Sequence, residues 1–188
     1  MPETRLTLLL AILGALLSGA LAAVTLEPAI GLVEALGFTE DLLGFLGPFA
    51  ITAGLMFGVV GVAITTLRLG ARPLAGVAFL SASMAGIAAA VYVALLVYDN
   101  TTESFVAPYG AGSPIGAVIL AIPAVFLTRV THPWRTIGLL CALPTLWAVL
   151  VALLLPNPDA AFEPMGLASL YIGWQVIFIG TLVLARRG

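Results

Sequence analysis

Residues 5–27 read RLTLLLAILGALLSGALAAVTLE, an arginine and a glutamate separated by 21 residues without a charge. The hydrocarbon core of a bilayer is about 30 Å thick, and a helix needs about 20 apolar residues to cross it. Arg5 and Glu27 therefore delimit one transmembrane helix. Five further apolar stretches follow, and the sequence predicts six spans in all, at residues 6–26, 48–67, 74–98, 113–128, 136–155 and 166–185.

The charges change sign from one connection to the next. All seven arginines lie on one side of the predicted spans, and eight of the nine acids lie on the other, with only Glu3 sharing the arginine side. Basic residues of membrane proteins accumulate in short cytoplasmic loops. We therefore expect an all-α, six-span protein of the plasma membrane with both termini in the cytoplasm. The arginines are Arg5, Arg68, Arg72, Arg129, Arg135, Arg186 and Arg187, and the acids opposite them are Glu27, Glu34, Glu40, Asp41, Asp99, Glu103, Asp159 and Glu163.

Composition restricts the functions that this chain can have. Apolar residues make up 62% of it and charged residues 9%, whereas a soluble domain has about 25% charged residues. Six spans in 188 residues leave no room for a separate soluble domain. No ionisable Asp, Glu, Arg or His lies deep in a predicted span, although such groups are the usual mark of proton relays and ion-coupled transport. The sequence thus favours a non-enzymatic protein of the lipid bilayer, without a metal site, a cofactor or a nucleic-acid partner.

The connection between the first two predicted spans, residues 27–47, is mostly apolar yet carries four acids. Its pattern predicts two short amphipathic helices, the second capped by Thr39. Such a segment lies in the outer interface as a linker, or it folds over the bundle as a lid. Gly47 and Pro48 are typical of a helix start and place the beginning of the second span. The fourth span is predicted to be short, with a kink at Pro123.

Small residues recur at every fourth position of the first span. Helix association in lipid depends on close backbone approach, which small residues allow. This ridge either packs the protein's own bundle or docks onto another integral membrane protein or a second copy of the chain. It consists of Ala11, Ala15, Gly19 and Ala23.

Aromatic residues fall in the outer halves of the third, fifth and sixth predicted spans. Together with two polar side chains they predict an outward-facing pocket, because small-molecule sites are mostly apolar clefts with a few polar groups. The alternative is scattered packing and interfacial anchoring. Gln175 differs from the hydroxyl residues of the spans, since its amide lies near mid-bilayer and needs a partner, either a neighbouring helix or a ligand. The candidate pocket residues are Thr52, Tyr92, Trp147, Tyr171, Trp174 and Gln175.

Six spans, a length near 190 residues and the small-residue ridge of the first span resemble the substrate-binding (S) subunits of energy-coupling-factor transporters. That resemblance implies that the ridge from Ala11 to Ala23 docks a transmembrane coupling subunit. It also implies that an outer loop gates a vitamin pocket. The chain is similar as well to uncharacterised six-span prokaryotic membrane families, through Leu36-Gly37 before the second span and Trp174 in the sixth. This second likeness implies no activity.

Two functions follow from these features. The first is a small subunit or assembly partner of a membrane complex, docked through its small-residue helix faces. The alternative is a substrate-binding or transport protein with an outward-facing aromatic pocket. The two differ in what occupies the first span's ridge and in whether a pocket is present.

Overall fold

The computed structural model describes residues 2–38, 42–68, 73–101, 104–155 and 163–186, and every regular element within them is helical. Six of its helices are long and apolar enough to cross a membrane, so the chain is a six-span membrane protein. The α-helices are α1 (Pro2–Ala35), α2 (Leu42–Phe49), α3 (Met56–Val62), α4 (Pro73–Thr101), α5 (Val106–Thr128), α6 (Pro133–Leu154) and α7 (Pro164–Ala185).

The first span is longer than the sequence predicts. Helix α1 continues without a break through the first half of the segment 27–47, so the first amphipathic helix expected there is an extension of α1. Its 34 residues span about 51 Å, well beyond the hydrocarbon core. Gly37, at a φ of 76°, ends the helix, and the amides of Gly37 and Phe38 donate to the carbonyls of Glu34 and Val33. This is the Schellman arrangement, which favours glycine. The expected cap at Thr39 lies outside the described residues.

The second span is composite. It joins α2, a π-helical turn (Ala50–Leu55), α3 and a second π-helical turn (Ala63–Arg68). The predicted start at Pro48 is wrong, because α2 begins at Leu42 and Pro48 lies buried inside it. Proline removes one helical donor, and the hydrogen-bond pattern changes to π two residues later. The Ser83 hydroxyl of α4 donates to the Gly54 carbonyl of the first π turn at 2.7 Å and joins the two spans.

The fourth span is complete rather than short. Helix α5 has 23 residues and begins at Val106, seven residues before the predicted start. The stretch 106–112 has a loop-like composition of Pro, Tyr and Gly, but Pro108 falls in the first helical turn, where no backbone donor is needed. Pro114 and Pro123 also lie within α5.

The six spans form a closed ring in chain order. Helix α1 packs against the second span, the second span against α4, α4 against α5, α5 against α6, α6 against α7, and α7 against α1. Most large apolar side chains on the outside of this ring are exposed, as a lipid-facing surface requires. Described acids, such as Asp99 and Glu163, lie exposed at one end of the ring, called the acidic end below. Arg129 and Arg135 lie exposed at the other, the basic end.

Candidate functional site

A cavity of about 120 Å³ lies inside the ring, between α2, α4, α5, α6 and α7. Its lining residues come from the second halves of α4 and α6 and from the first halves of α5 and α7. These are the halves nearest the acidic end, so the cavity occupies that half of the bundle. Helix α4 is the least buried of the six spans. This agrees with its position, because the face of α4 that points into the ring borders the cavity.

Small residues create the space. Ala90 and Ala94 of α4, Gly112 and Gly116 of α5, and Ala148 of α6 all line the cavity. The two glycines also bring α4 and α5 together, because a Cβ at Gly112 would overlap the Ala90 carbonyl and one at Gly116 would lie 2.8 Å from the Ala90 Cβ. The small side chains therefore set both the helix spacing and the volume that no side chain fills.

Aromatic rings form the wall nearest the acidic end. Phe105, directly before α5, stacks on Tyr98 of α4 with ring centroids 4.8 Å apart, and it contacts Tyr109 at 5.3 Å. Phe45 and Phe49 of α2 lie 5.7 Å apart on the same cavity. Aromatic pairs of this geometry add about 0.5–1.5 kcal/mol beyond the area they bury, so these rings form a firm apolar wall.

A second aromatic group closes the cavity toward the basic end. Trp174 stacks on Phe178 with centroids 5.3 Å apart and meets Phe57 edge to face at 6.1 Å. Phe57 in turn contacts Phe178 and Phe79. Phe57, Phe79 and Phe178 are almost fully buried. They pack the ring axis behind Trp174, which lines the cavity itself.

The polar groups beside Trp174 are satisfied within the protein. Its indole N–H donates to the Ser113 hydroxyl oxygen at 2.9 Å. The hydroxyls of Ser113 and Thr145 lie 3.3 Å apart, and the Thr145 hydroxyl donates to the Cys141 carbonyl at 2.7 Å. These hydrogen bonds join α7 to α5 and α5 to α6. They hold the Trp174 ring in place and leave none of these groups in need of a ligand.

Gln175 is the exception. Its side chain is 1% exposed and lines the cavity, yet neither its amide oxygen nor its amide nitrogen has a hydrogen-bond partner. Burying an amide without a partner costs about 1–3 kcal/mol by protein mutational data. Both polar atoms are also closed off from the cavity, so Gln175 is an unpaired amide packed behind an apolar wall.

Three of the six predicted pocket residues, Tyr171, Trp174 and Gln175, line the cavity together. Thr52 is buried elsewhere and donates to its own helix at the Pro48 carbonyl. Tyr92 is 40% exposed, because it follows Val91 of the cavity wall and points about 100° away around α4.

Trp147 also lies away from the cavity. Its N–H donates to the Ser169 carbonyl at 3.0 Å, and its ring covers Gly173. The sequence does not predict the α5 wall. Tyr109 lies in residues 106–112, outside the predicted fourth span, and Ser113 is the first residue of that span but was not among the candidate pocket residues. The Gly, Tyr and Pro residues of 106–112 lie at helical spacing, and this pattern was the one sequence signal that could have indicated a helix here.

The small-residue ridge of α1 faces α7. Ala11, Ala15, Gly19 and Ala23 are all buried. A Cβ at Gly19 would lie 2.7 Å from the backbone nitrogen of Ile172, so only glycine allows this contact. The small-residue ridge, which the sequence predicts to pack either within the bundle or against a partner, is therefore covered by a helix of the same chain.

Within the described residues, no three His, Cys, Asp or Glu side chains come together as a metal site requires. Comparisons of the chain with models of protein families, with curated proteins and with solved structures gave no significant match.

Proposed function

We propose that this chain is a non-enzymatic membrane protein that binds a small, mostly apolar molecule in the cavity of its ring. The observation that carries the proposal is an apolar cavity inside the ring, lined by aromatic and small side chains. Ligand sites in proteins are concave and lined mostly by apolar and aromatic side chains. The lining side chains are aliphatic, aromatic, hydroxyl or amide groups, which suit binding better than proton or group transfer.

The cavity lies close to the acidic end. Tyr98 lies three residues before the end of α4, and Phe105 lies one residue before the start of α5, so both cavity residues are close to that surface. The distribution of arginines predicts that the acidic end faces away from the cytoplasm. A binding or transport role on the outer side of the plasma membrane follows from the two together.

The role of a complex subunit has less support. It was based on the ridge of α1, and that ridge packs on α7. Docking a partner there would require α1 and α7 to separate and Gly19 to lose its contact with Ile172. A partner in the membrane would instead meet the leucine-rich outer surface of the ring, which differs little from the surface offered to lipid.

The test is a substitution that fills the cavity with a larger side chain. Ala148 is the α6 residue on the cavity lining, and an Ala148→Phe substitution places a phenyl ring in the space. Ala142→Phe is the matched control, because Ala142 lies on the same helix but on its exposed face. A cavity of about 150 Å³ is known to accept benzene, so a space of about 120 Å³ holds most of one ring and the variant is expected to fold.

The measurement is quenching of tryptophan fluorescence by 4-bromotoluene in lipid nanodiscs. Of the three tryptophans, Trp174 lines the cavity, so a brominated ring bound there quenches it at close range. We expect saturable quenching in the wild type and in Ala142→Phe, and only unsaturable, partition-driven quenching in Ala148→Phe. Equal saturable quenching in all three proteins would contradict binding in this cavity.

A further inference from the structure

We infer that the cavity opens sideways into the lipid between α2 and α4, and that the end of a membrane lipid's hydrocarbon chain occupies it. This inference rests on the proposed function and names both the molecule that the cavity takes and the route by which it enters. The separation of two spans, the depth of the opening, the chemistry of the wall and the size of the space lead to it.

The second span and α4 touch each other halfway along their length. The Ser83 hydroxyl donates to the Gly54 carbonyl, and a Cβ at Gly54 would lie 2.7 Å from the Met84 Cα. A Cβ at Gly58 would lie 3.2 Å from the Leu80 Cα. This close backbone approach leaves no room for another molecule at that level.

Toward the acidic end the two spans separate. A Cβ added at Gly47 of α2, about two turns before Gly54, would meet no atom within 4 Å. On α4, Val91 and Leu95 line the cavity although they are only partly buried. Phe45 of α2 lines it too and is 44% exposed. A side chain that borders the cavity and is also reached from outside lies at the edge of an opening, so the geometry places that opening between α2 and α4.

The opening lies at the depth of the lipid chains. Asp99 is exposed and ends the apolar part of α4. Val91 lies eight residues earlier, about 12 Å along the helix. This places Val91 well within a hydrocarbon layer about 30 Å thick. A molecule that passes between α2 and α4 at this level therefore comes from the layer of lipid chains.

The wall presents carbon atoms to the space. Ser113, Trp174 and Gln175 belong to the lining, but almost no polar atom of the lining residues faces the cavity. The Trp174 N–H donates to the Ser113 hydroxyl, and the Gln175 amide is closed off. None of the lining residues is Asp, Glu, Arg, Lys or His. Apolar cavities of this kind stay free of water, so a hydrocarbon is the occupant that the wall favours.

The size of the cavity limits how much of a lipid enters. A cavity of about 150 Å³ accepts benzene, so a space of about 120 Å³ takes a few methylene groups and not a whole chain. The side chains around an empty space lose dispersion contacts, and the end of a neighbouring chain restores them. The lipid's polar head group stays outside the ring, because the wall has no group to bind it.

The experiment places bromine on the lipid itself. A protein with Trp174 as its sole tryptophan, obtained by Trp134→Phe and Trp147→Phe, is reconstituted in phosphatidylcholine nanodiscs. A growing fraction of the lipid is brominated near the end of one acyl chain. Trp174 is 7% exposed and is shielded from lipid outside the ring, so a bromine reaches it through the cavity. We expect its fluorescence to fall in proportion to the brominated fraction, as it does when one chain occupies one site.

Two pairs of variants in this background connect the quenching to the cavity and to its opening. Ala148→Phe fills the space and should lose most of the quenching, whereas Ala142→Phe, on the exposed face of α6, should keep it. Val91→Phe places a ring at the opening and should also lose most of the quenching. Leu96→Phe is its control, because Leu96 lies on α4 but is 47% exposed and does not line the cavity.

The outcomes separate this inference from the function it rests on. Equal quenching by the brominated lipid in all variants would mean that bromine acts from outside the ring, and the inference would be wrong. Loss in Ala148→Phe alone would overturn the route between α2 and α4. Saturable quenching by 4-bromotoluene without quenching by the lipid would leave the binding function and overturn the lipid chain. If neither compound quenches Trp174, the lipid inference and the binding function are both overturned.

Discussion

Replacing Gln175 by methionine should make the protein more stable, although Gln175 is the most polar residue that borders the cavity. The side chain is 1% exposed and both of its polar atoms lack partners. Methionine has a similar length and no strong hydrogen-bonding group, so it fills the same space without an unpaired amide. A buried amide without a partner destabilises the folded protein, so its removal should be stabilising.

The expected magnitude is modest. An unpaired buried polar group costs about 1–3 kcal/mol. In membrane proteins the difference is smaller, because the unfolded chain stays in the bilayer, and interhelical polar contacts there average about 0.6 kcal/mol. We therefore expect Gln175→Met to raise the free energy of unfolding by about 1 kcal/mol.

The assay is reversible unfolding by sodium dodecyl sulfate in mixed micelles, followed by circular dichroism, on protein shown by mass to be free of adducts. Thr52→Val is the matched control, because the Thr52 hydroxyl is equally buried but donates to the Pro48 carbonyl at 2.7 Å. That variant should gain no stability. A loss of about 1 kcal/mol or more in Gln175→Met would refute the reasoning, since it would mean that the amide is bonded within the protein.

Three further predictions concern the bundle. Gly19→Leu should destabilise the protein by about 1–3 kcal/mol or more in the same unfolding assay, because its side chain meets the α7 backbone, whereas the exposed Ala20→Leu should have little effect. Phe57→Ala should cost about 3 kcal/mol, because it leaves a hole in the buried aromatic cluster; a cost below about 1 kcal/mol would show that this cluster packs loosely. In a background without the native cysteine, Glu163→Cys should react with an impermeant maleimide on intact cells and His132→Cys only after permeabilisation, and the opposite pattern would reverse the predicted orientation.

The sequence was sufficient for the spans because charge and length in a bilayer are strong constraints. A run such as residues 6–26 has few alternatives in lipid, where every backbone donor and acceptor must be bonded within the chain. The boundaries were harder to predict. Pro48 and the stretch 106–112 look like helix starts or loops by composition, but lipid and neighbouring helices favour a helical backbone there. Pro108 costs little because it lies in the first turn of α5, whereas Pro48 lies inside α2 and is followed by a π-helical turn.

The site was partly predictable for a similar reason. Gln175 stood out because an amide in the middle of a span needs a partner, and that argument requires no knowledge of packing. Tyr92 and Trp147 failed as wall residues because a helix turns about 100° per residue. Only the packing shows that Val91, one position earlier, faces inward. The cavity is a space that no side chain fills, and it forms only when the helices pack, so no sequence pattern predicts it.

The central claim is that the cavity holds a small neutral ligand, and native mass spectrometry of the protein, released gently from its own membrane, tests it most directly. We predict the mass of the chain or of a homo-oligomer plus a small adduct that is present in the wild type and Ala142→Phe and absent in Ala148→Phe. The mass of the adduct would then give the mass of the ligand. A wild-type protein that carries no adduct, or that carries only a second polypeptide, would contradict the account.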